Sequence, residues 1–215
     1  MSTRYYLPST GAAAENPAFN VAWEKTSEAD RLEMVMTKIS SSFATKACSE
    51  NNASADYDVL NRQYVSAPIG AHNFTGCTWK AQVRCMEDNR QANFVIYAAP
   101  SCFSNDGQTN RWAGGVGEGA TEFDDGELIN IATGEDVQPL SSQNGDRLIF
   151  EIGIRAKQEK TTLYTATMDF GDASGTDLPE NETETTQYNP WIEFSHNIAA
   201  YVPVSGYVPK IIMIT

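Results

Sequence analysis

The side chains best suited to proton transfer are scarce: 215 residues hold two histidines, His72 and His196. Imidazole is the usual general base at neutral pH, and neither histidine has a companion motif. His72 lies in the turn-like Ala71-His72-Asn73 and His196 follows a candidate closing strand, so both are expected as ordinary surface or rim residues. No G-x-S-x-G elbow and no H-E-x-x-H pair occurs, which leaves serine and zinc hydrolysis without a sequence basis.

Carboxylates are plentiful, and their densest run spans residues 169–184. Oxygen ligands on a loop suit a hard cation such as calcium, with Asp169, Asp172 and Asp177 as the candidate ligands and backbone carbonyls beside them. Their spacing is not that of an EF-hand, and a solvated acidic loop is the competing expectation. Glu122, Asp124, Asp125 and Glu127 form a second run around Phe123. Paired carboxylates can hydrolyse glycosides only when held roughly 5 to 10 Å apart across a sugar-binding cleft; an acidic turn is the simpler reading. Trp79, Trp112 and Tyr97 could supply the aromatic platform of a carbohydrate site. Trp79 is expected in a core strand, and Trp112, beside a glycine-rich stretch, is the candidate for exposure.

The cysteines stand at 48, 77, 85 and 102, with no C-x-x-C pair and no histidine at zinc-finger spacing, so no structural zinc site is expected. Cys85 falls in an alternating strand pattern and reads as a small core residue. The start Met1-Ser2-Thr3-Arg4 leads into no signal-peptide apolar region, which favours reduced thiols and leaves the glycosylation sequons at Asn52, Asn73 and Asn181 without meaning. Gly114-Gly115-Val116-Gly117-Glu118-Gly119 lacks both a preceding strand with a following helix and a Lys-Ser/Thr sequel; it is expected as a mobile loop rather than a phosphate cradle.

The elements that must position these groups are short strands. Leu32, Met34 and Met36 alternate with Glu33, Val35 and Thr37, the period of a half-buried strand. Similar runs recur at 58–64, 78–86, 93–98, 147–155 and 161–170, with a closing strand near 189–194, each bounded by Gly, Asn, Asp, Pro or Ser. Asn144-Gly145 marks a tight turn into the strand that starts at Arg147. Turn chemistry between short strands, without long helical repeats, predicts an all-β antiparallel sandwich, jelly-roll-like, over residues 31–196.

Residues 1–30 read as an extended N-terminal arm: Pro8, Gly11 and Pro17 break regular structure, and Tyr5, Tyr6 and Phe19 are expected to be exposed. Thr26-Ser27-Glu28-Ala29-Asp30 could cap a short helix over 22–31. Residues 197–215 read as a C-terminal arm that ends Lys210-Ile211-Ile212-Met213-Ile214-Thr215. Four consecutive large apolar residues are sticky in water, so pairing or burial is expected. Tyr5, Tyr6, Tyr207, Ile211, Ile212 and Ile214 are the candidate partner-binding residues.

Hydrophobic residues make up 41% and charged residues 20%, so the chain should fold rather than stay disordered. The net charge of −13 repels phosphate backbones and anionic lipid, and nucleic acid is not expected as a partner. No apolar run approaches the ~20 residues of a membrane-spanning helix, so a membrane role is not expected either.

Several stretches resemble a family of uncharacterised structural proteins found in tailed-bacteriophage virions and their environmental relatives. They are Arg4-Tyr5-Tyr6-Leu7-Pro8-Ser9, Pro17-Ala18-Phe19 with Trp23-Glu24, residues 59–66 with Pro68, Gly145-Asp146-Arg147-Leu148 with residues 151–156, residues 170–179, and Asn189-Pro190-Trp191-Ile192-Glu193-Phe194-Ser195. The resemblance implies a copy-repeated component of the particle, on the head surface or in the tail. A compact β-domain with arms suits decoration of a capsid lattice, so a head-surface or decoration role is expected ahead of a tail role, with other virion proteins and copies of itself as partners. The resemblance does not imply an enzyme, and no cofactor is expected beyond the candidate calcium at the three aspartates. An adhesin-like carbohydrate-binding module using Trp112 is the alternative expectation. A polysaccharide-cleaving enzyme is weaker, because no β-helix repeat is visible. The match stops at Ser195, and residues 197–215 lie beyond it.

Overall fold

The computed structural model describes residues 2–26, 29–48, 55–126, 128–134, 141–157, 162–180 and 188–203. Among these residues there is no helix, and the strands form two facing sheets. The first sheet contains β1 (Thr3–Tyr6), β3 (Ala44–Cys48), β6 (Trp79–Glu87), β10 (Leu128–Gly134), β13 (Ala166–Phe170) and β14 (Trp191–Phe194). The second contains β2 (Asp30–Met34), β4 (Tyr57–Ser66), β7 (Phe94–Phe103), β8 (Asn110–Ala113), β9 (Gly117–Glu118) and β12 (Arg147–Ala156). A two-residue pair, β5 (His72–Asn73) with β11 (Ser141–Ser142), closes one end. The alternating runs read from the sequence are β2, β4, β6, β7, β12, β13 and β14.

Pairing is antiparallel except between β2 and β4. Inner faces meet in one apolar core: Trp79 of β6 packs edge-on to Phe150 of β12, and Tyr64 of β4 tilts against Phe170 of β13. All four cysteines are buried, and burial pushes the Cys85 thiol well above its ordinary range, with the Asp169 charge adding to it.

Register exposes an interruption in the first sheet. Asp169 of β13 faces Arg84 of β6, and Trp191 of β14 faces Gln82. Thus β13 and β14 lie end to end along β6: the chain leaves the sheet after Phe170 and rejoins it at Trp191, on either side of Val83. At the neck, Gly171 N–H donates to Leu7 carbonyl (3.1 Å), and Leu7 N–H donates to Pro190 carbonyl (3.0 Å). Gly171 has φ +76°, a conformation open to glycine at little cost.

Three sequence expectations are corrected. Residues 3–26 are part of the sandwich rather than a free arm. β1 pairs with β14, and Tyr5 and Leu7 are buried, because their alternation with half-buried Tyr6 feeds the inner face. Of the expected helix over 22–31, residues 22–26 and 29–31 are not helical: Glu24 and Lys25 donate their N–H groups to Asp58 carbonyl, Leu60 N–H donates to Lys25 carbonyl, and Asp30 begins β2. The glycine-rich stretch is held, not loose. β9 pairs with β7, and Gly117 lies so close to the Trp79 ring that a Cβ would clash with it.

One buried carboxylate explains how residues 20–23 are fastened. Glu151 of β12 is fully buried and accepts from Asn20 N–H (2.7 Å), Val21 N–H (3.1 Å), Trp23 Nε1–H (2.7 Å) and Gln63 Nε2 (3.3 Å). Four donors replace the water the carboxylate gave up. Beside it, Arg155 grips Asp58 with two bonds of 2.7 Å, donates to Glu118 at 2.9 Å, and lies 3.7 Å over the Tyr97 ring.

Candidate functional site

The sandwich leaves an apolar groove open where three segments converge. Past β2 the chain turns away through Val35, Met36 and Ile39; past β4 it runs through Ala67, Pro68 and Ile69; and residues 199–201 cross beside them. The cavity is about 390 Å³, and Glu33 is the single charged side chain on its lining. Tyr5, 2% exposed, contributes to the lining from below.

Local pairing fixes the walls. Val35 exchanges backbone hydrogen bonds with Tyr6, and Gly70 N–H donates to Ala199 carbonyl at 2.8 Å. Glycine is required at 70 because a Cβ there would stand 2.6 Å from Ala200 carbonyl oxygen. Farther along, Asn144 Nδ2 donates to Val202 carbonyl (2.8 Å) and Val202 N–H donates to Asn144 Oδ1 (3.2 Å). The rim is left in water: Met36 is 58%, Ile39 46% and Tyr201 41% exposed, and Val202, next in the chain, is 68% exposed. Exposed large apolar side chains gathered in one place are the kind of patch on which interaction surfaces are built.

The other candidate residues are placed elsewhere. Asp169, Asp172 and Asp177 do not converge, and among the described residues no group of three His, Cys, Asp or Glu side chains could hold a metal ion. Asp172 is instead neutralised by Lys38, whose ammonium lies 2.6 Å from its carboxylate and 2.6 Å from Thr176 carbonyl. Asp172 also accepts from Ser174 and Asn189 N–H. Lys38 therefore stands where a loop-bound cation would. Asp177 pairs with Arg4 at 3.4 Å, and Asp169 sits buried in β13. Tyr6, the half-buried candidate contact, hydrogen-bonds Asp177, and burial first and that bond second push its hydroxyl up to about 12.

Trp112 is not exposed. It is 4% accessible and packs 5.1 Å from Phe74, because β8 turns its ring inward as the alternation in its burial shows. Trp79 is core, as expected. Tyr97 is covered by Arg155 on one side and by Trp23 edge-on at 5.4 Å. No sugar platform is left among the three. Tyr207, Ile211, Ile212 and Ile214 lie outside the described residues.

Two constellations escaped the sequence. The histidines meet, with His72 Nε2 3.3 Å from His196 Nδ1; burial, then the His196 charge, hold the His72 pKa below its ordinary value. Their separation by 124 positions hides the pair. The second is Glu87, 2% exposed, in a cleft with Arg90, Glu122, Phe123 and Asp124. Burial first, then the Glu122 charge, raise its pKa to about 7; a Phe94 backbone bond opposes the shift, and Asp124 and Asp88 reinforce it. Arg90 is already engaged by Asp125 at 2.8 Å, and Glu127 lies outside the described residues.

A raised carboxyl favours the protonated folded state. Its contribution to stability is full below the unfolded value near 4.5 and is lost as pH rises through about 7. Glu87→Gln is therefore expected to remove about 2 kcal/mol of stability difference between pH 5 and pH 8, allowing for solvent screening at the cleft. Urea unfolding at both pH values checks this, and an unchanged pH dependence in the variant would exclude Glu87 as its source.

No family model matches this chain, and no curated protein matches it. Among solved structures it is similar to a CocE/NonD family hydrolase from Staphylococcus aureus, at 10% identity and a TM-score of 0.48, over 93% of this chain and 36% of that one. It is also similar to infectious bursal disease virus, Gx strain, at 11% identity and a TM-score of 0.23, over 75% of this chain and 37% of the viral one. The chain thus spans little more than a third of the length of either protein. Likenesses this distant carry no conclusion about activity.

Proposed function

We propose that this chain is a non-enzymatic structural protein of a virus particle, a phage virion by its sequence resemblance, and that it works by docking its groove against a neighbouring protein. The observation that carries this reading is the open apolar groove with Met36, Ile39 and Tyr201 exposed on its lining and Val202 exposed next to Tyr201 in the chain. A monomer that kept this surface in water would be prone to stick, so a partner that covers it gains apolar burial. The net charge of −13 favours a position on the particle exterior, away from packaged nucleic acid.

Met36→Asp places a charge on the rim of the groove without touching the core. It is expected to cut the number of copies in purified particles at least about tenfold, counted by quantitative mass spectrometry. Stability of the isolated protein should change by less than about 0.5 kcal/mol, as for other surface substitutions. Normal incorporation of Met36→Asp would remove the groove from the assembly and defeat the reading.

A further inference from the structure

We propose that the occupant of the groove is the apolar C-terminal segment, residues 207–215, of a second copy of this chain. The inference rests on the docking role above and names the partner.

Chemistry matches on both sides. The lining is apolar apart from Glu33, and residues 197–215 are apolar or neutral apart from Lys210. Lys210 immediately precedes Ile211-Ile212-Met213-Ile214, so one ammonium is available to the one carboxylate beside the apolar contact. For a protein of net charge −13, two copies repel each other, and a contact made by a cationic apolar segment relieves part of that repulsion.

Geometry favours a neighbour over the chain's own groove. Residues 199–201 are themselves a wall, tied to Gly70, and Val202 is tied to Asn144, so the chain that follows starts from a fixed edge of the groove. Pro203 and Pro209 fix φ and bias the residues before them toward extension. Seven residues from Val202 to Pro209 reach about 23 Å when fully extended, enough for the apolar run to pass its own wall and meet a neighbouring copy. The run is also apolar at every position. In an extended chain Ile211 and Met213 point to one side while Ile212 and Ile214 point to the other. A groove covers one side, and the other side is left for the chain that donates the segment to cover where two copies meet.

Sedimentation velocity and light scattering on full-length protein, a Met36→Asp chain, an Ile39→Asp chain and a chain cut after Gly206 test this. The full-length protein is expected to associate, and each altered chain to lose at least about thirtyfold in association constant. Mixing a groove variant with the shortened chain should restore a two-chain species, because one supplies an intact segment and the other an intact groove. Three results overturn the inference: association that survives the truncation, a mixture that stays monomeric, or a full-length monomer whose groove begins to bind an apolar dye once the segment is removed. If Met36→Asp particles lose the protein while truncated ones keep it, the docking role stands and only this occupant falls. If both are incorporated normally, the docking role falls as well.

Discussion

Lys38→Met is expected to destabilise the protein by about 3 to 5 kcal/mol in urea unfolding. The Lys38 side chain is 5% exposed and that of Asp172 2%, and removing one partner of a buried pair strands the other charge without water. The loss should be local as well as global. Asp172 ties Asn189 and Ser174, and its carbonyl accepts from Ser41 N–H, so the neck of the 171–190 excursion loosens when the carboxylate must find new partners. Adding calcium to the unaltered protein is expected to leave its melting temperature unchanged. A site filled at a hundredfold excess over its dissociation constant would add about 2.7 kcal/mol, so a clear rise would mean that the loop can trade Lys38 for a metal.

Glu151→Ala is expected to cost a similar 3 to 5 kcal/mol, by a different route. Here no opposite charge is lost. Two backbone N–H groups, an indole and an amide lose their common acceptor, and each unsatisfied donor costs about 1 to 3 kcal/mol unless water reaches it. Water reaches the half-buried stretch 20–23 more readily than the strand beneath, which keeps the total below the simple sum. Limited trypsin digestion should show cleavage after Lys25 appearing in Glu151→Ala well before the sandwich unfolds. Glu151→Gln, which keeps one acceptor oxygen, should fall between. Equal resistance of Glu151→Ala and the unaltered protein would show that residues 20–23 are held by something else.

The long strands were legible because alternation is a local signal. Residues 32–36, 58–64 and 147–155 each carry enough positions for period two to stand out. β1 was not, since four residues framed by Pro8 and Gly11 are too few to separate a strand from an extended arm. Trp112 misled because glycines beside it suggested exposure, whereas those glycines make room for other backbone and rings: Gly114 against Pro100, Gly117 against Trp79. The fate of the acidic run was hidden for another reason. Lys38 lies 134 positions from Asp172, and only the sheet register brings them together. The apolar character of residues 211–214 was readable directly, but the groove is assembled from three distant segments, none of which is conspicuous alone. The residues that carry the sequence resemblance, among them Arg4, Trp23, Asp146, Glu151, Arg155 and Asp172, prove to be fasteners between loops and sheets.

The neck closed by Leu7 sets how freely the protein can vary in size. Because Leu7 bonds to both Gly171 and Pro190, the chain between them starts and ends at two points that are already held together. Doubling the length of such a loop costs only about 0.6 kcal/mol. Relatives with much longer or shorter stretches at this point would keep the same sandwich, and a peptide grafted between the two strand halves would be displayed there without disturbing the register of either.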